Sequence, residues 1–234
     1  MLFRSRDRKA CAGVARSGLG HVDAVAARQQ HLRAGPCRNH ASNATDRRVL
    51  ILGGTGPVGR IAGVIAARAG AQVLLSSRNG IDVAEAAARA TGTRFAVTLH
   101  GVSAGDRAAV RASLAEADVV LACAAAGVQV LSADDLGFAV RLKVAADVNA
   151  VPPEGIAGVG VMDDAKPLAG TAALAIGALA VGNVKYQTQH RLLVQMCAAE
   201  KAVVFGFAEA FDVARAFLAE KAAEKAAAPA AKAL

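Results

Sequence analysis

The chain has 234 residues, of which 54% are hydrophobic and 3% aromatic, with no Trp and a formal net charge of +8. This length allows one large domain with an appendage, and so few aromatic side chains argue against a stacking surface for single-stranded nucleic acid. Ten cations against three Asp lie within the first 48 residues, so the remainder is close to neutral. We therefore expect no nucleic-acid partner for the folded part.

Residues 1–45 form a basic leader without a sustained period of 2 or 3.6 residues. No apolar run follows its cations, so it is not a secretory signal, whereas a mitochondrial-type presequence is one alternative. We favour an unstructured leader, or the remnant of a longer N-terminal part, with no folded role.

From Arg47 onward, strand and helix signals alternate, which is typical of a parallel sheet with crossover helices. The predicted strands are Val49–Leu52, Gln72–Ser76, Arg94–Leu99, Asp118–Ala122 and Lys143–Asp147. The predicted helices are Val58–Ala69, Val83–Ala90, Asp106–Ala115 and Ser132–Leu136. This pattern predicts an α/β fold, a Rossmann-like doubly wound parallel sheet.

The rhythm changes past Asn149, where a Pro/Gly loop precedes helices predicted around Ala172–Ala199 and Glu209–Ala223. The uncharged stretch Pro167–Val184 is rich in Gly and Ala, which predicts a buried helix and no membrane span. We expect one domain with C-terminal helices over residues 46–225 and a frayed tail over 226–234.

The four cysteines are scattered, with no Cys-x-x-Cys pair and no His at ligand spacing. This pattern supports neither a disulfide framework nor a metal site. Reduced thiols in a cytoplasmic protein are the expectation.

The stretch "GGTGPVG" carries the pattern G-x-G-x-x-G between a predicted strand and a predicted helix. Gly54 permits a tight turn, Gly56 lets a diphosphate approach the backbone, and Gly59 allows close helix–strand packing. A glycine-rich turn without a ligand is the alternative, which the strand–helix context disfavours. The predicted dinucleotide-binding residues of this turn are Gly54, Thr55, Gly56, Pro57, Val58 and Gly59.

The second predicted strand ends in Ser76, Ser77 and Arg78, where an NAD-binding domain carries an acid. Hydroxyl groups and a guanidinium group suit the 2′-phosphate of NADP, which a carboxylate would repel. A solvated surface Arg is the alternative. The position favours NADP as the cofactor.

Two further stretches are "ADVNAVPPEGIAGVG" (146–160) and "ALAIGALAVGNVKYQTQHRLL" (173–193). Together with the glycine turn and "SSR", they closely resemble the NADP-dependent methylenetetrahydromethanopterin dehydrogenases of one-carbon metabolism, some of which also accept methylenetetrahydrofolate. The resemblance covers Arg47 to about Ala223. It implies hydride transfer from a pterin-bound methylene group to NADP, giving the methenyl form, without a metal.

The resemblance also implies roles for residues of these two stretches. Lys185 matches the family's lysine beside the reacting centre, and we assign it a positioning or tuning role. A helix-end or phosphate-contacting Lys is the alternative. Asn149, Pro152 and Pro153 match the loop after the fifth strand, at the carboxyl edge of the sheet where ligands lie, and we expect Asn149 and Pro152 to contact the cofactor. A rigid Pro turn with a capping Asn is the alternative. We expect a homo-oligomer with a pterin substrate and no membrane partner.

Members of that family carry a complete α/β domain before the dinucleotide domain, and the pterin lies between the two. Here a basic leader of about 45 residues stands in that place. The rival hypothesis is therefore a non-catalytic NADP-binding module, or an inactive cofactor half.

Overall fold

The computed structural model describes residues 47–227, so the expectations for the leader lie outside the described residues. The strands within this range are β1 (Arg48–Leu52), β2 (Gln72–Ser77), β3 (His100–Ser103), β4 (Val119–Ala122), β5 (Val144–Asp147), β6 (Asp164–Pro167) and β7 (Leu174–Ile176). The helices are α1 (Pro57–Arg68), α2 (Ile81–Phe95), α3 (Arg107–Ala115), α4 (Ala133–Leu136), α5 (Ala178–Ala198) and α6 (Phe207–Ala227).

The strands form one sheet in the order β3-β2-β1-β4-β5-β7-β6, in which β6 alone runs antiparallel to its neighbour. This arrangement confirms the predicted Rossmann-like doubly wound sheet. The strand order reverses between β1 and β4, and in such sheets a crevice opens there at the carboxyl ends of the strands. The residues that follow β1, β2 and β4 are therefore the candidates for a ligand-binding site.

Both faces of the sheet are covered because successive side chains of a strand point to opposite sides. Val49 and Ile51 of β1 pack on the face that carries α1, α5 and α6. Leu50 and Leu52 pack on the opposite face with α3 and α4. The core is accordingly built from Val, Leu, Ile and Ala, and it holds the strand ends rigidly.

The predicted strand Arg94–Leu99 is wrong in its position. Helix α2 continues to Phe95, Ala96 adopts a left-handed cap, and β3 begins only at His100. Gly92 permits this longer helix, because a Cβ there would lie 2.6 Å from the carbonyl oxygen of Val97. The alternating apolar residues of this stretch therefore indicated the strand about six residues too early.

The helix predicted around Ala172–Ala199 is wrong in its first part, and so is the buried helix over Pro167–Val184. Leu174–Ile176 forms β7, which pairs parallel with β5, and α5 begins only at Ala178. A three-residue apolar strand has no periodicity that separates it from a helix. Helix α6 is longer than predicted and ends at Ala227, inside the expected tail.

Candidate functional site

The glycine turn between β1 and α1 is packed so tightly that two of its glycines leave no room for a side chain. A Cβ on Gly54 would lie 2.8 Å from the Cα of Leu75, and one on Gly59 would lie 2.7 Å from the Cα of Gly54. Gly53 adopts a φ of 74°, in the left-handed region that favours glycine. These contacts fix the strand, the turn and the helix against each other.

Gly56 differs from its neighbours because a Cβ there would make only an ordinary van der Waals contact. The nearest atom to a Cβ on Gly56 would be the carbonyl oxygen of Gly53, at 3.5 Å. Gly56 also caps α1 without a side-chain hydrogen bond, Pro57 follows it, and no acid lies in the first turn. The first-turn amides and the positive end of the helix dipole thus remain available to an anion.

The carboxyl end of β2 contributes three polar residues. The hydroxyl of Ser77 accepts a hydrogen bond from the backbone amide of Asn79 at 3.1 Å. The hydroxyl of Ser76 is buried and has no hydrogen-bond partner among residues 47–227. Arg78 is exposed, and its guanidinium group has no hydrogen bond or ion pair within the same range. A buried polar group without a hydrogen-bond partner lowers stability. The Ser76 hydroxyl therefore needs a ligand or a water at this strand end.

One cleft joins the glycine turn to the end of β2. It encloses about 560 Å³ and is bounded by the segments that follow β1, β2, β3 and β4. Predicted site residues in its wall are Thr55, Gly56, Ser76, Ser77 and Arg78. The cleft is also lined by residues that the sequence analysis did not identify, among them Asp106, Arg107, Cys123 and Val128. The cleft therefore brings the glycine turn and the exposed Arg78 guanidinium group to one cavity.

Asn149 and Pro152 lie behind this wall. The side-chain oxygen of Asn149 accepts hydrogen bonds from the amides of Gly127 (3.3 Å) and Val151 (3.0 Å), and its amide nitrogen donates to the carbonyl of Pro153 (2.9 Å). The carbonyl of Pro152 faces Gly127. Asn149 therefore ties the loop after β5 to the segment after β4, and its cofactor contact stays a prediction.

Lys185 does not line the cleft. It lies half-buried on α5, seven residues after the first residue of that helix. The separation along the helix axis is about 10 Å. The first turn of α5 follows the carboxyl end of β7, so this helix begins at the edge of the sheet that carries the cleft. The role of Lys185 at the reacting centre stays a prediction.

A buried carboxylate at the end of β5 was missed by the sequence reasoning. Asp147 accepts hydrogen bonds from the amides of Asn149 (2.9 Å), Gly155 (2.6 Å) and Ile156 (3.2 Å). Burial raises its pKa above the usual range, against the opposing effect of these three amides. An acid that ends an apolar strand run was the signal that could have identified it.

Cys123, directly after β4, lines the cleft. Burial, together with the charge of Asp147, raises the pKa of its thiol to about 12. The thiol is therefore protonated at neutral pH, and the cleft contains no thiolate nucleophile at this position.

A second buried carboxylate anchors the opposite wall. Asp135 is fully buried and accepts a hydrogen bond from the hydroxyl of Ser132 at 2.7 Å. It pairs with Arg111 at 2.8 Å between Nε and the carboxylate, and it also contacts the guanidinium group of Arg107. Burial acts to raise the pKa of Asp135, but these partners hold it below its ordinary value. The carboxylate is therefore ionised at neutral pH.

The residues that the structure describes contain no group of three or more His, Cys, Asp or Glu side chains that could hold a metal ion. None of the described helices is both long enough and apolar enough to span a membrane.

Comparisons with known proteins give two curated relatives from Methylorubrum extorquens. The chain is 42% identical over 168 residues to an NAD(P)-dependent methylenetetrahydromethanopterin dehydrogenase, covering 72% of this chain and 57% of the relative. It is 31% identical over 146 residues to the bifunctional protein MdtA, covering 62% of this chain and 49% of that relative. The chain thus spans about half the length of the curated relatives it matches.

No family model matches the chain. Among solved structures, quinate dehydrogenase from Corynebacterium glutamicum in complex with NAD is 15% identical with a TM-score of 0.49, covering 82% of this chain and 61% of that one.

Proposed function

Since the aligned part of this chain belongs to the family of the methylenetetrahydromethanopterin dehydrogenases, we propose that it binds NADP and serves hydride transfer from a pterin-bound methylene group. The observation that carries the proposal is one cleft with an open Gly56 on one side and a free Arg78 guanidinium group on the other. These residues fit a dinucleotide, because they offer backbone amides to a diphosphate and a cation to a further phosphate.

The glycine turn would hold the diphosphate. Gly54 and Gly59 keep the start of α1 against β1, and Gly56 leaves the space in front of the first-turn amides empty of side-chain atoms. Thr55 lines the cleft between them, and its carbonyl accepts a hydrogen bond from Nε of Arg60 at 2.8 Å. The turn would therefore bind the diphosphate through a preformed backbone, at little conformational cost.

The end of β2 would select NADP over NAD. The residues at the end of β2 are Ser76, Ser77 and Arg78, none of which is acidic, so a 2′-phosphate meets no carboxylate of these residues. A charge-assisted hydrogen bond from a guanidinium group contributes about 1.5–3 kcal/mol, which is about tenfold to more than a hundredfold in affinity.

The pterin side of the reaction would depend on Lys185 and on the loop after β5. When bound, NADP supplies the hydride acceptor at C4 of its nicotinamide ring. The chain's own task is to align the pterin methylene carbon with that acceptor and to exclude competing chemistry. Lys185 lies on the helix that begins after the carboxyl end of β7, which supports a positioning role, and Asn149 holds the loop after β5 against the segment after β4.

The test is a titration of NADP and NAD into the full chain and into Arg78→Ala. We expect the wild type to bind NADP at least tenfold more tightly than NAD, and the variant to lose most of that preference while still binding NAD. Equal affinities of the wild type for both nucleotides would refute NADP selectivity. NADPH formation is then followed by absorbance with methylenetetrahydromethanopterin and, separately, with methylenetetrahydrofolate.

The second candidate is a non-catalytic NADP-binding module, which the position of Lys185 outside the lining of the cleft favours. Tight NADP binding without NADPH formation on either pterin would support this candidate.

We further propose a homo-oligomer, because Leu193, Val194 and Val204 are exposed on and after α5. Light scattering in solution tests this assembly, and fractionation of the source cells tests the expected cytoplasmic location.

A further inference from the structure

Arg107 stands in the wall of the cleft beside Arg78, although the two residues lie 29 positions apart. They follow neighbouring strands: Ser77 at the end of β2 pairs in register with Ser103 at the end of β3. Gly105 approaches the carbonyl oxygen of Arg78, since a Cβ on Gly105 would lie 3.4 Å from it. The side chain of Arg107 is 57% exposed and lines the cleft.

The charges around Arg107 do not balance within the wall. Asp135 carries one negative charge and contacts two guanidinium groups, those of Arg107 and Arg111. Arg111 is the more buried of the two cations, and it also lies over the ring of Phe138 at 4.7 Å from the centroid. The two guanidinium groups share this single carboxylate, so the group of Asp135, Arg107 and Arg111 keeps one net positive charge at the side of the cleft that Arg107 lines.

The contact with Asp135 fixes the position of Arg107 without using all its donors. One terminal nitrogen, Nη1, faces the carboxylate, while a guanidinium group has five N–H donors. Asp106, the other acid of this wall, accepts a hydrogen bond from the amide of Ala109 at 2.8 Å as the N-cap of α3. Its charge is thereby directed at the positive end of a helix dipole.

We propose that Arg107 is a second specificity-determining residue, which binds the 2′-phosphate of NADP together with Arg78, with Asp135 as the residue that positions it. This inference rests on the proposed NADP binding and deepens it. A phosphate dianion has three free oxygens, so it can accept hydrogen bonds from two guanidinium groups at once. Removal of either cation therefore weakens the same contact.

The experiment measures the affinity of the full chain for NADP, NAD and 2′-AMP by calorimetry, in the wild type and in Arg107→Ala, Arg107→Gln and Arg78→Ala. Arg111→Ala is the matched control, because Arg111 shares Asp135 but does not line the cleft. We expect the two Arg107 variants to lose about tenfold or more in affinity for NADP and for 2′-AMP, with less than a twofold change for NAD. Arg111→Ala removes no cation from the cleft wall but leaves Asp135 to Arg107 alone, so it should lower the ratio of NADP to NAD affinity less than Arg107→Ala does.

Three outcomes would overturn the inference. If Arg107→Ala weakens NAD and NADP equally, Arg107 acts on the adenine or on the fold. If Arg107→Ala keeps the wild-type ratio while Arg78→Ala loses it, the proposed function survives and the role of Arg107 is refuted. If the wild type itself does not distinguish NADP from NAD, both the proposed selectivity and this inference fail.

Discussion

The same substitution should have different effects at two glycines of the β1–α1 turn. We expect Gly59→Ala to lower stability and Gly56→Ala to lower the affinity for NADP. Gly59→Ala places a methyl group 2.7 Å from the Cα of Gly54 and 2.8 Å from the carbonyl oxygen of Gly53. Both atoms belong to the backbone of a buried turn, so the clash cannot be relieved by a side-chain rotation. Gly56→Ala meets no atom closer than 3.5 Å, and its φ of −73° is open to Ala.

The expected magnitudes follow from these distances. Overpacking costs about 1–3 kcal/mol, and backbone clashes place Gly59→Ala near the upper end. Replacing a helical Gly by Ala returns about 1 kcal/mol, so the net loss is about 2 kcal/mol. That loss lowers Tm by about 4–8 °C for a domain of this size. Gly56→Ala should cost less than about 1 kcal/mol, because Ala is a poorer N-cap than Gly but its methyl group displaces no atom.

The affinity for NADP should change in the opposite order, with the larger loss in Gly56→Ala. The methyl group of Gly56→Ala occupies the space in front of the first-turn amides, so we expect at least a tenfold loss of NADP affinity. Thermal unfolding followed by circular dichroism at 222 nm, and NADP titration below Tm, measure the two effects on the same samples. The reasoning is refuted if Gly59→Ala unfolds at the wild-type temperature, or if Gly56→Ala binds NADP as the wild type does.

Three further predictions concern other parts of the chain. Lys185→Ala should lower turnover with the pterin while NADP affinity stays within about twofold; a large loss of NADP binding would place Lys185 on the cofactor. Deletion of residues 1–45 should leave NADP binding and Tm nearly unchanged, and limited proteolysis should cut before Arg47; a protected leader would contradict this. Burial acts to raise the pKa of Asp118, but hydrogen bonds from Nζ of Lys143 (2.8 Å) and the Arg48 amide (3.1 Å) hold it below its ordinary value. The folded state thus favours the charged carboxyl, so its contribution to stability is present above about pH 4 and is lost as pH falls further. Asp118→Asn should flatten that acid limb in urea unfolding, and an unchanged limb would count against the assignment.

The sequence by itself determined the parts of the molecule that depend on local signals. A strand run and "GGTGPVG" placed β1, the turn and α1 to within one residue, because each signal acts on its immediate neighbours. The polar end of β2, with Ser76 to Arg78, was likewise readable, since strand order in a βαβ unit brings it beside the turn.

Only the tertiary structure decided where short apolar runs change from helix to strand and which distant residues share the cleft. Leu174–Ile176 is a strand because β5 offers it a free edge, which no local pattern reveals. Arg107 lines the cleft because the β2–β3 register and a carboxylate 28 residues along the chain fix it there. Asn149 ties the loop after β5 to the segment after β4 because the tertiary fold brings the Gly127 amide within hydrogen-bond distance. Such pairings depend on register and on burial, which are properties of the assembled sheet and not of any single segment of the chain.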